Sequence, residues 1–200
     1  MFVELATWLA THPLALVALS FLSGSIPFSL LVSKARGVDL RSVGSGNLGA
    51  TNVYRAMGFK AALLVFGLDA IKGAIPTWIA LNNESPTIHI VIAGLAILGH
   101  SLSPFVNFKG GKGAATGLGV LAVLATDVFG VLFIAAAILI AVTRYVAPTT
   151  IICSLLAPLL LYLFDYPIPY VVFTSIIAVF IIYRHKTNIV RLIQGTENRV

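Results

Sequence analysis

Long apolar runs alternate with short polar turns along this chain. Seven runs stand out, at 14–33, 61–81, 87–106, 113–126, 128–143, 149–164 and 168–183. The first three hold 20, 21 and 20 residues, enough to cross about 30 Å of hydrocarbon as helices. The last four hold only 14 to 16. The fourth is expected to begin as an irregular Gly-rich segment, which a bundle tolerates where protein shields the backbone. The runs are continuous rather than alternating at period two, so a membrane barrel is excluded. The pattern predicts an all-α fold: a polytopic membrane bundle of seven transmembrane helices, forming one domain over residues 1–200. No internal repeat of the kind that marks many carriers is visible.

Charge gives this pattern an orientation. Twelve of thirteen Lys and Arg residues fall in four clusters, Lys34–Lys60, Lys109–Lys112, Arg144 and Arg184–Arg199. The turns between them carry Glu84, Asp127 and Asp165 and no base. With seven spans all four clusters lie on one face, as the positive-inside rule requires, and the C-terminus is cytoplasmic. The N-terminus is then outside. No base precedes Lys34, so the first run reads as an uncleaved span rather than a signal peptide. Reading 113–143 as one tilted helix would leave six spans. Asp127 would then sit near mid-bilayer, at about 2.5–3.5 kcal/mol, and Arg144 and the C-terminal bases would face outside.

Composition agrees with a membrane protein. Hydrophobic residues make up 58% and charged residues 10%, against about 25% charged in soluble proteins. The net charge of +6 is spread over juxtamembrane loops, so it does not point to nucleic acid. The one cysteine, Cys153, lies within an apolar run and reads as a structural thiol.

Three polar segments gather on the cytoplasmic face. The first runs from Val43 to Arg55. Gly44, Gly46 and Gly49 permit tight turns, and Ser45, Asn47, Thr51 and Asn52 supply hydroxyls and amides. Arg55 supplies a guanidinium able to grip phosphate or carboxylate. The second runs from Asn107 to Thr116, with Lys109 and Lys112 flanking Gly110 and Gly111. It is not a Walker A loop, because Gly113 follows Lys112. Glycyl N–H groups, a lysine and a new helix N-terminus together still favour an anion. The third runs from Arg184 to Asn198. If it is helical, His185 and Asn188 share a face at i, i+3, and Arg184 and Asn188 at i, i+4. His185 can serve as base, hydrogen-bond donor or cation.

Two charges lie within the second run: Asp69 and Lys72 at i, i+3 can pair. An intramembrane charge is a functional hypothesis by default, with a structural ion pair as the plainer reading. His100, near the end of the third run, can line the same pocket or cap its helix. Metal chemistry is not expected, since neither HExxH nor CxxC occurs. No His-x4-Asp dyad exists either. After four intervening residues the four histidines meet Val17, Gly94, Phe105 and Val190.

Taken in order, GSGNLGATNVYR (44–55), FKGGKGAATGLG (108–119) and YRHKTNIVRLIQGTEN (183–198) resemble the bacterial acyl-phosphate:glycerol-3-phosphate acyltransferase family. Leu68–Gly73 and the Gly99–His100 pair are similar to it too, and the likeness runs from about Gly24 to Val200. The resemblance implies an enzyme of the bacterial inner membrane that acylates the 1-hydroxyl of glycerol 3-phosphate. It implies acyl-phosphate as donor, no cofactor, and a soluble partner enzyme that makes the acyl-phosphate. The motif positions carried over are Ser45, Arg55, Lys112, His185 and Asn188 as catalytic residues. Asn47, Thr51, Asn52, Gly110, Gly111 and Gly113 are expected to bind substrate, the glycine loop taking glycerol 3-phosphate. Glu197 is associated with structural integrity.

Chemically, such a site must hold two phosphates. Arg55, Lys112 and a protonated His185 can offset much of that charge. Phosphate is a good leaving group, so positioning is expected to supply most of the acceleration. The proton acceptor stays open between His185 and a substrate phosphate oxygen, and the lack of a His–Asp dyad of that spacing favours the latter. A phosphate carrier would also use basic, Gly-rich loops, but carriers place their sites near the midplane.

Overall fold

The computed structural model describes residues 2–200, and every regular element among them is helical. Two compact units divide the chain, the first ending at Leu124 and the second running from Ala125 to Val200. The first contains α1 (Phe2–Thr11), α2 (Pro13–Ser25), α3 (Phe28–Lys34), α4 (Ala50–Met57), α5 (Phe59–Ala80), α6 (Pro86–Ser101) and α7 (Ala114–Leu124). A 3₁₀ turn, Pro104–Val106, follows α6. The second contains α8 (Thr126–Thr143), α9 (Val146–Leu163), α10 (Ile168–Arg184) and α11 (Lys186–Ile193).

Five segments are long and apolar enough to cross a membrane: Pro13–Lys34, Phe59–Ala80, Pro86–Val106, Thr126–Thr143 and Val146–Leu163. The bent pair α10–α11 makes a sixth if counted as one span. The chain is therefore an integral membrane protein. Two expected spans differ from the sequence reading. The first is broken, because Ile26 precedes Pro27 and takes an extended conformation (φ −60°, ψ 118°), as residues before proline do. The run at 113–126 is only an 11-residue helix, about 16 Å long and too short to cross alone. Residues 113–143 are not one tilted helix either, since Ala125 separates α7 from α8 with φ −154° and ψ 79°.

Small residues set the spacing in the first unit. Lipid offers no hydrophobic force between helices, so close backbone packing and interhelical hydrogen bonds carry association. α2 lies against α6, and a Cβ at Gly24 would strike the Ala96 carbonyl and one at Gly99 the Phe21 carbonyl. Ser20 Oγ donates to the Ile92 carbonyl at 2.6 Å, and Ser103 Oγ to that of Ser25 at 2.6 Å. α5 meets α7 in the same way. A Cβ at Gly73 would lie 2.5 Å from the Thr116 carbonyl oxygen, and one at Gly119 would strike the Ala70 carbonyl. Two apolar clusters close this unit. One joins Leu9 and Leu16 to Ile79 and Ile92. The other joins Leu40, Leu48 and Val53 to Ala61, Val65 and Val106, beneath the first polar segment.

In the second unit α9 packs against α8, α10 and α11. Arg144, in a left-handed conformation (φ 64°), ends α8. There the C-terminus folds back: Val200 N–H donates to the Arg144 carbonyl at 2.9 Å, and Arg144 Nε to the Val200 carbonyl at 2.6 Å. At the start of α8, Tyr166 donates to Asp127 Oδ1 at 2.5 Å. That bond pushes the Tyr166 hydroxyl up to about 12, so it remains a neutral donor at physiological pH.

The glycine seam makes a direct prediction. Gly119→Ala forces α5 and α7 apart and is expected to cost about 1–3 kcal/mol, as overpacking does. Gly67 on α5 has open space around its Cβ position, so Gly67→Ala is expected to be neutral or stabilising by up to about 1 kcal/mol. Unfolding temperatures of the two variants in one detergent check the contrast.

Candidate active site

Asn52 organises the first polar segment. It sits on α4 and is 1% exposed. Its Oδ1 accepts from Ser45 N at 2.9 Å and from Ser45 Oγ at 3.3 Å. Its Nδ2 donates to the carbonyls of Leu40 and Val43, both at 3.0 Å. One carboxamide thus closes a loop of polar backbone that would otherwise be costly to bury. Gly44 and Gly46 take φ of 60° and 67°, and a Cβ at Gly44 would strike Asn52 Oδ1. Arg55 follows one turn later on α4, its Cδ 3.5 Å from that same Cβ position. Ser45, Asn47, Thr51 and Arg55 are half-buried around the loop. The structure therefore brings Ser45, Asn52 and Arg55 together, and Asn52 spends its bonds on the loop itself.

The second segment folds onto the end of α6. Asn107 and Phe108 both adopt positive φ, 54° and 60°, which turns the chain back. Gly110 N–H then donates to the Ser101 carbonyl at 3.1 Å and Gly111 N–H to the His100 carbonyl at 3.2 Å. The sequence reading offered these glycyl amides to an anion; both are engaged with α6 instead. The glycines are needed for close approach. A Cβ at Gly110 would strike the His100 carbonyl. One at Gly111 would strike the His100 ring and lie 2.9 Å from the Leu48 carbonyl oxygen. Gly111 is thus where the first and second segments meet. Gly113, with φ 87°, turns the chain into α7, and Gly117 N–H donates to its carbonyl at 2.7 Å. Lys112, half-buried, stands at this helix entrance.

The third segment is not one helix. α10 and α11 meet at 58°, with His185 at the joint (φ −97°, ψ 8°). Arg184 and Asn188 therefore sit on different helices, and the expected i, i+4 face is lost. His185 and Asn188 keep their relation through the first turn of α11, where Asn188 N–H donates to the His185 carbonyl at 2.9 Å. His185 Nδ1 lies 2.8 Å from the Ile181 carbonyl. A carbonyl only accepts, so Nδ1 carries the proton and Nε2 is the acceptor in the neutral ring. Asn188 Nδ2 donates to Glu197 Oε1 at 2.8 Å, and Arg191 Nε to Glu197 Oε2 at 3.0 Å. Buried Glu197 thus fixes the Asn188 amide.

The family described as Glycerol-3-phosphate acyltransferase matches residues 14–195. The chain belongs to this family. A glycerol-3-phosphate acyltransferase of Roseiflexus sp. (strain RS-1) is 45% identical over 191 residues, covering 93% of this chain and 94% of that protein. One from Aquifex aeolicus (strain VF5) is 43% identical over 188 residues, covering 93% and 98%. The fold resembles the crystal structure of PlsY (YgiH), an integral membrane glycerol 3-phosphate acyltransferase, in its glycerol 3-phosphate form. The TM-score is 0.92 and identity 41%, over 94% of this chain and 96% of that one. Its lysophosphatidic acid form matches with TM-score 0.89 and 39% identity, over 94% and 95%.

In this glycerol-3-phosphate acyltransferase family member, the sequence hid the part that Asn52 plays. Asn52 looked like another polar loop residue; its place on the buried face of a short helix gives it the organising part. Leu48, an apolar residue within a polar run, was the visible sign that the loop is anchored from below. Asn52→Leu removes four hydrogen bonds; the Leu40 carbonyl loses its Asn52 donor, while the Val43 carbonyl keeps the Gly46 N–H at 3.1 Å. A loss of about 1–3 kcal/mol is expected, with the 41–50 loop becoming the first site of limited proteolysis.

Proposed function

We propose that this chain transfers a fatty acyl group from acyl-phosphate to the 1-hydroxyl of glycerol 3-phosphate, as one catalytic domain over residues 1–200 in a bacterial inner membrane. The observation carrying this reading is the 0.92 TM-score at 41% identity to the acyltransferase solved in its glycerol 3-phosphate form. The hydroxyl oxygen attacks the acyl carbon of the mixed anhydride. A new ester C–O bond forms, the C–O bond to phosphate breaks, and lysophosphatidate and inorganic phosphate result. The hydroxyl proton passes to a phosphate oxygen, already ionised near neutral pH.

Arg55 and Lys112 meet phosphate charge, which low dielectric at the membrane interface makes more effective. Ser45, Asn188 and His185 hydrogen-bond and position the reactants, with Asn47 and Thr51 lining the glycerol phosphate. Asn52 and the Gly110, Gly111 and Gly113 turn act by shaping the loops that carry these groups. The acyl tail stays in the bilayer, so no soluble chamber is required. A soluble enzyme supplies the acyl-phosphate, and no cofactor takes part. The arrangement in the membrane is seven crossings, N-terminus outside and C-terminus cytoplasmic, α7 completing its crossing with the glycine-rich approach before it. The pairing of Arg144 with Val200 supports a common face for those two basic regions.

Purified protein in lipid is expected to make lysophosphatidate from glycerol 3-phosphate and acyl-phosphate but not from acyl-CoA. Arg55→Ala is expected to lower kcat/KM at least about a hundredfold, as loss of a charged transition-state contact does. Product from acyl-CoA would overturn the donor. For topology, a C-terminal green fluorescent protein fusion should fluoresce, and a cysteine introduced at Glu84 should react with a membrane-impermeant maleimide added to whole cells. A dark fusion or a protected Cys would overturn the seven-crossing arrangement.

A further inference from the structure

Asp69, Lys72 and His100 are 2%, 5% and 7% exposed, all within the first unit. Lys72 Nζ lies 2.8 Å from Asp69 Oδ1 and donates to the Ile26 carbonyl at 2.8 Å. It also stands 5.6 Å from the centroid of the Phe28 ring. The lysine thus holds together the break that Pro27 makes in the first span. His100 Nδ1 lies 3.6 Å from the same Asp69 oxygen, beyond hydrogen-bond length but well within electrostatic range. The other side of the ring faces Gly111, where Nε2 occupies the space a Cβ would need. The His100 carbonyl takes the Gly111 N–H, and the Ser101 carbonyl that of Gly110. One residue after this contact comes Lys112.

Resting on the acyltransferase reading, we infer that Asp69, Lys72 and His100 form a positioning network that sets the height and tilt of the Gly110–Lys112 backbone, and so tunes affinity for glycerol 3-phosphate. None of the three needs to touch substrate. Lys72 and Asp69 neutralise one another, so neither charge is left alone in a dry interior. Asp69 faces one side of the imidazole at 3.6 Å, and the imidazole is the floor on which Gly111 rests. The Leu48 carbonyl presses on Gly111 as well, so a shift of the ring moves the junction of the first two segments. A purely structural ion pair would lower stability when broken. It would not single out one substrate.

His100→Ala is expected to raise KM for glycerol 3-phosphate about tenfold or more, because small misplacements of binding groups are costly. KM for acyl-phosphate and the unfolding temperature should change little. Hydrogen exchange without substrate should quicken at the Gly110 and Gly111 amides and not at Ala96 on the α2–α6 seam. Gly111→Ala should be severe alone and milder in the His100→Ala background, where its methyl enters vacated space. His100→Gln, which keeps some bulk beneath Gly111, should show an intermediate KM and stands in if the alanine variant does not fold. Parallel rises in both KM values, unchanged exchange, or an equal Gly111→Ala penalty in both backgrounds would overturn the network. A wild-type protein making no lysophosphatidate would instead sink the acyltransferase reading, while the exchange comparison still decides whether His100 supports the loop.

Discussion

Within the first unit everything depends on how closely backbones approach. Membrane helices gain little by hiding apolar surface from one another, because lipid is as apolar as leucine. Gly24, Gly73, Gly99 and Gly119 remove side chains where α2 meets α6 and α5 meets α7. Carbonyls then come within reach of Ser20 and Ser103. The same closeness brings the end of α6 under the glycine loop.

Close packing has a cost, and the polar residues within the unit offset it. A helix broken at Ile26–Pro27 takes the Ile26 carbonyl out of the helical ladder, where the Phe28 N–H reaches it at 3.1 Å and a second lone pair remains. Lys72 answers it, and Asp69 answers Lys72. Asn52 does the same for Leu40 and Val43 where the chain leaves the helices. In each case a buried polar side chain settles backbone groups first, and the half-buried side chains nearby, Arg55 and Lys112 among them, are placed as a consequence.

Much of this was legible before the fold was known. The all-helical membrane class followed from run length and charge content, and the pairing of Asp69 with Lys72 from i, i+3 spacing. Helix ends were harder. The break at Ile26–Pro27 has a plain proline signal, but α7 ends at Leu124 because Ala125 leaves the helical region, and no residue type announces that. The joint at His185 was hidden too, since no residue type around Arg184–Asn188 marks where one helix stops and the next begins; there the His185 ring turns back to the Ile181 carbonyl. The polar candidates were visible as types; which of them face a ligand and which hold the loop depends on three-dimensional partners.

The glycines of the second segment show why that distinction matters. A glycine-rich stretch beside lysine suggests amides aimed at phosphate, and the chemistry is sound in a phosphate loop. Here Gly110 and Gly111 have given their N–H groups to α6 and surrendered their side chains to His100. Their service is to let a loop lie flat on a buried imidazole. Under the reading proposed above, the task of meeting negative charge falls to the long side chains of Arg55 and Lys112. A loop seated on a buried ring, with half-buried Arg55 and Lys112 beside it, is what the proposed reaction between two phosphate-bearing partners would call for.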